Sequence, residues 1–269
     1  MILDNKQKVH DFWNQASCGE VLYLDGCSQV DYYKQAASRY ELEPIIQDFA
    51  EFHLYRDKDV LEIGVGLGAD HQQFAEAGAK LKGIDLTERA VSHTLTRLNA
   101  FGFDSDIQQA DAEHLPYSNA TFDLVYAWGV LHHTPDTARA IMEVCRVLKP
   151  GGEAKIMIYH KYSMVGYLLW VRYALLKLRP FTSLTAIYER YLESPGTKAY
   201  SVREAKRLFR SFACVEIKTS LMHGDLLDSE AGQRHRSGLL TIAKRIWPRW
   251  LIKRCFKSHG LFMLIRAIK

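Results

Sequence analysis

The sequence predicts an α/β domain in which helices cover both faces of a parallel sheet. Two observations predict it. From residue 59 onward, short apolar strand-like runs alternate with segments of helical periodicity. The first run, VLEIGV, leads directly into a turn with glycine at three alternate positions. Strand–helix alternation requires crossover helices, and these pack on both faces of the sheet.

Residues 1–57 are predicted to be mostly helical and are rich in aromatic side chains. The predicted strands are, in order, VLEIGV, LKGIDL, SDIQQAD, FDLVYAWG, EAKIMIYH, ACVEIKTS and GLFMLIRAIK. The predicted helices are HQQFAEAGAK, ERAVSHTLTRLNAFG, DTARAIMEVCRVLK and SVREAKRLFRSF. The third of these helices is expected to end at Pro150-Gly151-Gly152. We therefore divide the chain into a helical cap (1–57), a core (58–160), an insertion (161–200) and a C-terminal half of the core (201–269).

Composition places the chain among ordinary globular proteins, with 269 residues, 48% of them hydrophobic and 25% charged. No apolar run reaches the roughly 18 residues that would span a bilayer, and the first residues lack a signal-peptide core. The five cysteines form no CxxC pair. We therefore expect a reduced, cytoplasmic chain without a zinc site or a disulfide framework.

The glycine turn consists of Gly64, Gly66 and Gly68. A strand, a glycine turn and a helix place free backbone N–H groups at a helix N-terminus, where phosphate commonly binds. The dinucleotide pattern G-x-G-x-x-G/A fits Gly64, Gly66 and Ala69, and Asp85 follows about 20 residues later, where a ribose would lie. The turn alone therefore leaves NAD open as a ligand.

Further features favour a ligand that carries positive charge. Glu62 lies two residues before the first glycine, where a carboxylate would repel a pyrophosphate and suit an ammonium group. After the third strand come Asp111, Ala112 and Glu113, and an acid there could accept a hydrogen bond from an adenine amino group. TFDLVYAWGVLHHTPD and VLKPGGEAKIMI follow in order along the chain.

This series of motifs resembles the class I S-adenosylmethionine (SAM)-dependent methyltransferases, most closely the ubiquinone/menaquinone-type (methyltransferase type 11) branch. The resemblance covers residues 58–160 well, and 201–219 and 260–269 more loosely. It implies a Rossmann-like sheet of seven strands with an antiparallel last strand, for which GLFMLIRAIK is the candidate. It also implies that the N-terminal helices fold over the cofactor.

The resemblance further implies which residues bind SAM. They are Glu62, Gly64, Gly66, Gly68, Asp85, Leu86, Asp111, Ala112, Glu113, Trp128 and Val130, with Tyr33 and Tyr40 from the N-terminal segment. In this assignment, Asp85 holds the ribose and Asp111 with Ala112 borders the adenine. Each residue also has a simpler interpretation: the glycines could only permit a tight turn, and Asp85 could only cap a helix.

The candidates on the acceptor side are His132, His133, Tyr159 and His160, because they follow the fourth and fifth strands at the edge of the sheet where ligands bind. Histidine is the natural base near neutral pH. The two histidines could instead only shape their loop. We predict no metal ligand, and we predict methyl transfer to a small or medium, lipophilic organic acceptor, with oxygen or carbon favoured.

Two basic and aromatic stretches, 159–180 and 239–257, leave three interpretations open: packing helices, a lid over a lipophilic acceptor, or a peripheral membrane contact. Residues 231–269 carry ten Lys and Arg and no acid. An RNA or protein methyltransferase is therefore an alternative, although the base-methylating Asn/Asp-Pro-Pro and Pro-Cys motifs are missing. A non-catalytic SAM-binding regulator and an NAD-dependent reductase are the remaining alternatives.

Overall fold

A seven-stranded sheet forms the centre of the protein in a computed structural model, which describes residues 2–228 and 247–269. The strand order is β3-β2-β1-β4-β5-β7-β6. The strands are β1 (Asp59–Ile63), β2 (Lys80–Asp85), β3 (Asp106–Gln109), β4 (Phe122–Trp128), β5 (Leu148–Tyr159), β6 (Cys214–Ser220) and β7 (Phe262–Ile268).

Helices surround this sheet and precede it. The N-terminal segment holds α1 (Ile2–Gln15), α2 (Glu20–Tyr23), α3 (Gln29–Leu42) and α4 (Ile45–Ala50). The crossover helices are α5 (Ala69–Glu76), α6 (Glu88–Phe101) and α7 (Thr137–Val147). After β5 come α8 (Met164–Tyr173), α9 (Leu184–Tyr191) and α10 (Val202–Leu208), and α11 (His223–Leu226) and α12 (Arg249–Cys255) lie between β6 and β7.

The directions of the strands confirm the predicted fold class. β1 pairs in parallel with β2 and β4, β2 with β3, and β4 with β5. β7 lies between β5 and β6 and runs antiparallel to both. The strand order therefore reverses at β1, and the carboxyl ends of β1 and β4 border a crevice in which ligands of such folds bind.

The two faces of the sheet bury two apolar clusters. Along β4, Val125 and Ala127 face a cluster with α7 and α10, whereas Tyr126 and Trp128 face a second cluster with the N-terminal helices, α8 and α9. This alternation has the period of two that a pleated strand requires. The second cluster is rich in aromatic rings, with Phe74 packed edge-on against Tyr126.

The fifth strand begins earlier than predicted. α7 ends at Val147, and the chain passes directly into β5 at Leu148, so Pro150-Gly151-Gly152 lies within the strand and does not stop the helix. Pairing with β4 jumps from Leu148 opposite Phe122 to Glu153 opposite Leu124. The intervening residues bulge out of this ladder, and Gly151 with its positive φ accommodates the bulge.

Within residues 2–228 and 247–269, each helix is too short or too polar to cross a membrane. The second basic stretch is described only in part, because residues 239–246 lie outside the described residues. Its described portion includes α12, in which Ile252 is buried and Trp250 is exposed.

Candidate functional site

The glycine turn after β1 combines close packing with open space. Gly64, Gly66 and Gly68 all have left-handed φ angles, at 81°, 54° and 75°. A Cβ on Gly64 would lie only 2.1 Å from Val130 Cγ2, so the turn packs directly against the end of β4. A Cβ on Gly66 would meet no heavy atom within 4 Å. Gly66 therefore faces a space that a ligand can enter.

Arg97 of α6 supports this turn from behind, and sequence analysis missed it. Its guanidinium is 1% exposed and donates to the Leu67 carbonyl at 3.2 Å, to Gln72 Oε1 at 2.6 Å and to Gln35 Oε1 at 2.7 Å. Burial lowers the pKa of Arg97 to about 10, so the group stays charged at neutral pH. Its bonds tie the turn to both α3 and α6.

Asp85, at the end of β2, joins the turn to the next helix. One carboxylate oxygen accepts from the Gly66 N–H at 3.3 Å, and the other accepts from the Thr87 N–H and hydroxyl at 2.9 Å. Burial raises the pKa of Asp85. The N-cap of α6 is Thr87 and not Asp85. Asp85 and its neighbour Leu86 line the same cavity as the turn.

Glu62 is a buried acid at the carboxyl end of β1. Its Oε2 lies 2.8 Å from Nδ1 of His71 on α5, and the other ring nitrogen of His71 lies 2.9 Å from Ser105 Oγ. Burial is the main cause that raises the pKa of Glu62 well above its usual range and lowers that of His71 to about 3. Both shifts favour the uncharged form of each group, although the geometry of the pair is that of a salt bridge.

The helix α3 brings charge to the same site through two residues of the N-terminal segment. Arg39 forms a two-bond pair with Asp70, at 3.1 and 2.7 Å, and Tyr40 donates to the same carboxylate at 3.0 Å. Glu43 accepts a hydrogen bond from the Trp128 indole at 3.0 Å. Arg39 and Glu43 line the cavity, whereas Tyr40 only helps to hold Asp70.

Helix α1 covers the turn that follows β3 through the side chain of Lys6. Lys6 donates to Asp111 and, at 2.8 Å, to Glu113. Glu113 also accepts from the Asp136 N–H at 2.7 Å. Asp111, Ala112 and Lys6 line the cavity, and Glu113 lies outside its lining. Glu113 therefore holds Lys6 and the backbone of Asp136 in place beside the predicted adenine site and does not line the site itself.

These groups surround one cavity of about 670 Å³, which is large enough for a cofactor and a small acceptor together. The glycine turn, Asp85 and Asp111 lie at or just after the ends of the neighbouring strands β1, β2 and β3, so they form one end of the lining. The other end, beside β5 and β7, is lined mainly by apolar side chains, namely Val165, Leu168, Leu169, Leu192, Met222, Leu227, Leu261 and Phe262. Its polar lining residues are His133, Tyr159, Arg172, Glu193, His223 and Asp225. The cavity thus has a polar end and a mainly apolar end.

Glu193, which follows α9, is an acid at the apolar end, and sequence analysis missed it. Its Oε2 accepts from the Tyr159 hydroxyl at 2.9 Å and lies 3.4 Å from His133 Nε2. The other ring nitrogen of His133 lies 2.8 Å from Ser194 Oγ. The sequence YLESPG offers no motif that would have identified this carboxylate.

Three other predicted residues lie away from the cavity. His132 is fully buried beside His133, and neither of its ring nitrogens has a hydrogen-bond partner among the described residues. Burial lowers the pKa of His132 well below its usual range, so it is neutral. His160 contacts the Gly260 carbonyl at 3.2 Å, and the exposed Tyr33 packs edge-on against Phe101.

Among the residues that the structure describes, two groups of side chains each bring three potential metal ligands within 4.8 Å of one another. They are His132, His133 and Glu193, and Asp111, Glu113 and His114. In the first group Glu193 is bonded to Tyr159, and in the second Lys6 neutralises two acids. We assign no metal to either group.

The polar end of the cavity fits SAM. Gly66 leaves open space, and the carboxyl groups of Glu62, Asp70 and Asp85 lie around it with Arg39. Such a set of acids suits a ligand with a sulfonium and an ammonium group, and Arg39 suits the carboxylate of the same ligand. A pyrophosphate would add two negative charges beside three carboxyl groups.

Comparisons with known proteins agree with this geometry. Residues 61–156 match the family model described as "Methyltransferase domain". A ubiquinone biosynthesis O-methyltransferase of Azoarcus sp. is 32% identical over 115 residues, which are 42% of this chain and 49% of the relative. The chain spans half or less of the length of the first curated relatives that it matches.

Solved structures share the fold at low sequence identity. Haemonchus contortus phosphoethanolamine N-methyltransferase 2, solved with phosphomonomethylethanolamine and S-adenosylhomocysteine, aligns with a TM-score of 0.63 and 17% identity over 97% of this chain and 60% of that one. The cyclase SpnF aligns with a TM-score of 0.56 and 18% identity, over 99% and 94% of the two chains. Residues 61–156 thus match a methyltransferase domain, and this match and the likeness to ubiquinone O-methyltransferases support a class I SAM-dependent methyltransferase of the type 11 branch.

Proposed function

We propose that this protein transfers the methyl group of SAM to a small or medium organic acceptor with substantial apolar surface. One observation carries the proposal: the glycine turn and the Glu193 cluster line the same cavity, and β4 lies between the strand that leads into the turn and the strand that ends at Tyr159. A cofactor at the turn and an acceptor beside Glu193 would therefore share one water-poor space. Alignment of two reactants in such a space supplies much of the rate of a displacement reaction.

The residues of the chain have separate tasks in this proposal. SAM, when bound, supplies a methyl group that its sulfonium already activates. Gly66, Asp85 and Asp111 hold the cofactor, and Trp128 and Val130 border it where β4 ends. The apolar side chains of α8 and β7 orient the acceptor and exclude water.

We propose that Glu193 is the base that removes the acceptor's proton, because its carboxylate contacts both Tyr159 and His133. Tyr159 holds the carboxylate through its hydroxyl, and His133 lies close enough to share the charge as the proton arrives. Such a base has a use for O–H, N–H or acidic C–H acceptors. Oxygen and carbon acceptors are favoured by analogy with the quinone-type branch.

The exposed end of the α8–α9 hairpin suggests where a lipophilic acceptor enters. Leu176 lines the cavity and is 68% exposed, and Leu178 and Phe181 beyond it are 90% and 100% exposed. Lys177 and Arg179 lie between them in the sequence. We propose that this apolar and basic end, with the cavity mouth, rests on an anionic lipid surface.

The first experiment is a calorimetric titration with SAM, S-adenosylhomocysteine and NADH. We expect micromolar binding of the first two and none of NADH, because the polar end carries acids in place of a pyrophosphate cradle. Binding of NADH alone would replace this proposal with the reductase. Lipophilic phenols and carboxylic acids are then offered with SAM, and mass spectrometry detects the added methyl group.

The variants Glu193→Gln and Glu189→Gln separate the chemistry from folding, because Glu189 is an exposed acid on α9, the helix that Glu193 follows. We expect Glu193→Gln to lower kcat by about 10²-fold or more at unchanged SAM affinity, the scale of a lost general base. Glu189→Gln is expected to behave like the wild type. Tight SAM binding with no methylated product across the panel would favour the non-catalytic regulator.

Vesicle flotation tests the lipid contact. We expect the protein to float with vesicles that contain phosphatidylglycerol and to remain in the bottom fraction with vesicles of phosphatidylcholine alone. Both the apolar and the basic side chains contribute to the binding of an anionic surface. The paired change Leu178→Ser and Phe181→Ser is expected to abolish flotation. Equal recovery of wild type and variant with the anionic vesicles would contradict the contact.

A further inference from the structure

The Glu62–His71 pair lies directly behind the cofactor end of the cavity, and its hydrogen bonds fix where its protons can be. Ser105 donates its single hydroxyl hydrogen to the Leu81 carbonyl at 2.8 Å. Ser105 Oγ must then accept from His71 Nε2, which lies 2.9 Å away. His71 therefore carries a proton on Nε2 in every state that keeps this chain of bonds.

The remaining contact, from His71 Nδ1 to Glu62 Oε2 at 2.8 Å, must then hold one further proton. Without it, a lone pair on the nitrogen would face a carboxylate oxygen. Two arrangements satisfy the contact: a carboxylic acid beside a neutral imidazole, or a carboxylate beside an imidazolium. They differ only in the position of one proton along a single hydrogen bond.

The surroundings of the pair in the free protein favour the neutral arrangement. Glu62 is 3% exposed and His71 is fully buried, so separated charges are costly there. The charged groups that act on Glu62 are Asp70, Asp85 and Arg39, and only Arg39 is a cation. Since Arg39 is already paired with Asp70, the nearby charges do not favour a further anion.

The strand β2 has a glycine opposite Glu62 that makes room for the imidazole. Glu62 is in register with Gly83. A Cβ on Gly83 would lie 2.8 Å from His71 Cε1 and 2.7 Å from Val65 Cγ1. Any other residue at this position would push His71 away from Glu62. The contact between the two side chains is therefore built into the sheet.

We propose that His71 is a positioning residue that takes the proton of Glu62 when SAM binds, so that the cofactor meets a carboxylate. This inference rests on the proposed function, because its ligand is SAM. The Glu62 O–H bond breaks and a His71 Nδ1–H bond forms, and no proton enters or leaves the protein. The cation in the cavity stabilises the carboxylate in front, and the imidazolium stabilises it from behind.

The direct test is NMR of the protein with ¹⁵N-labelled histidine at pH 7, with His71 assigned from the His71→Asn spectrum. In the free protein we expect a neutral ring protonated on Nε2, and with saturating SAM an imidazolium. In Glu62→Gln, the ring is expected to stay neutral with SAM bound, because the amide has no proton to give. A ring that stays neutral in the SAM-saturated wild type, or is charged without SAM, overturns the proposal.

Calorimetry in phosphate and in Tris provides an independent readout, because these buffers differ in ionisation enthalpy. The wild type is expected to exchange almost no protons with the buffer on binding SAM. His71→Asn is expected to release about one proton per SAM, since Glu62 must then give its proton to the solvent. No release by His71→Asn overturns the proposal, whereas a wild type that does not bind SAM overturns the proposed function itself.

Discussion

The two ends of the cavity are built differently. At the polar end, buried and half-buried side chains bond to each other and to the backbone: Asp85 accepts from the Gly66 N–H, and Arg97 donates to the Leu67 carbonyl. At the apolar end, apolar side chains from α8, from β7 and from the two residues that flank α11 meet mainly through packing, and Tyr159, His133 and Glu193 form a polar cluster among them. The comparison teaches that the end predicted to hold the cofactor is fixed by hydrogen bonds around β1 and β2. The end predicted to hold the acceptor depends on packing between elements that follow β5 in the chain.

The largest loss of stability is expected from a substitution in the glycine turn of the polar end, and it would test this comparison directly. Gly64→Ala should destabilise folding by about 3 kcal/mol, because the new Cβ would lie 2.1 Å from Val130 Cγ2 at a left-handed φ. Gly66→Ala should cost only about 1 kcal/mol of stability, yet weaken SAM binding at least tenfold. Urea unfolding and calorimetry measure the two quantities. Equal losses of stability in the two variants would contradict this division of roles.

The apolar end has its own pH dependence, through Asp225. This carboxyl accepts from the backbone N–H groups of Met222 and Leu261, at 3.1 and 2.9 Å. Burial raises its pKa from 3.8 to about 6. The folded protein therefore binds this proton more tightly than the unfolded chain does. The stabilisation is complete below pH 3.8 and is lost as the pH rises through 6.

The variant Asp225→Asn isolates this contribution, because an amide resembles the protonated acid and does not titrate. Relative to the variant, the wild type should lose about 2 to 3 kcal/mol of unfolding free energy between pH 4 and pH 7. Urea unfolding at several pH values measures the difference. Parallel pH profiles for the two proteins would mean that Asp225 does not contribute in this way.

A smaller effect is expected from Asp85→Ala. The variant removes the predicted ribose contact and also the bond to the Gly66 N–H. We expect SAM binding to weaken by about 1 to 3 kcal/mol, the scale of an unpaired polar group. Calorimetry gives the affinity, and thermal unfolding monitors the fold. An unchanged affinity would move the ribose contact to another residue.

The smallest effect is expected where α1 closes the polar end. Lys6→Ala removes the bonds to Asp111 and Glu113, but Lys6 and Asp111 are partly open to solvent, so SAM affinity should change by less than about 1 kcal/mol. The dissociation rate should rise, and added salt should reduce the difference from the wild type. Stopped-flow measurements give these rates, with the exposed Lys34→Ala as the control. A wild-type dissociation rate in Lys6→Ala would remove α1 as a closing element.

Much of the fold and of the polar end could be predicted from the sequence, because the signals there are local. A strand, a glycine turn, a helix and the acid of the next strand all lie between residues 59 and 85. The apolar end could not be predicted in the same way. Glu193 reaches Tyr159 only because α8 and α9 fold back over 34 residues of sequence, and Arg39 reaches Asp70 from the N-terminal segment.

His132 and His133 illustrate the same limit within two residues. The sequence makes them equivalent, and both were predicted as catalytic candidates. His133 faces the cavity, while His132 packs between the rings of His133 and Tyr159, 4.2 and 4.0 Å away. Tertiary packing decides which of two neighbouring rings faces the cavity, and the spacing of residues in the sequence does not predict it.

The position of β7 has a consequence for the order in which the molecule can fold during synthesis. β6 joins the sheet only through β7, which follows it in the chain and lies between it and β5. The five strands β1 to β5 can pair as the ribosome releases them, whereas β6 must wait for β7. Leu261 and Phe262, which line the apolar end, arrive at that same late moment. A nascent chain stalled before residue 261 would thus hold the glycine turn while its acceptor wall is still open.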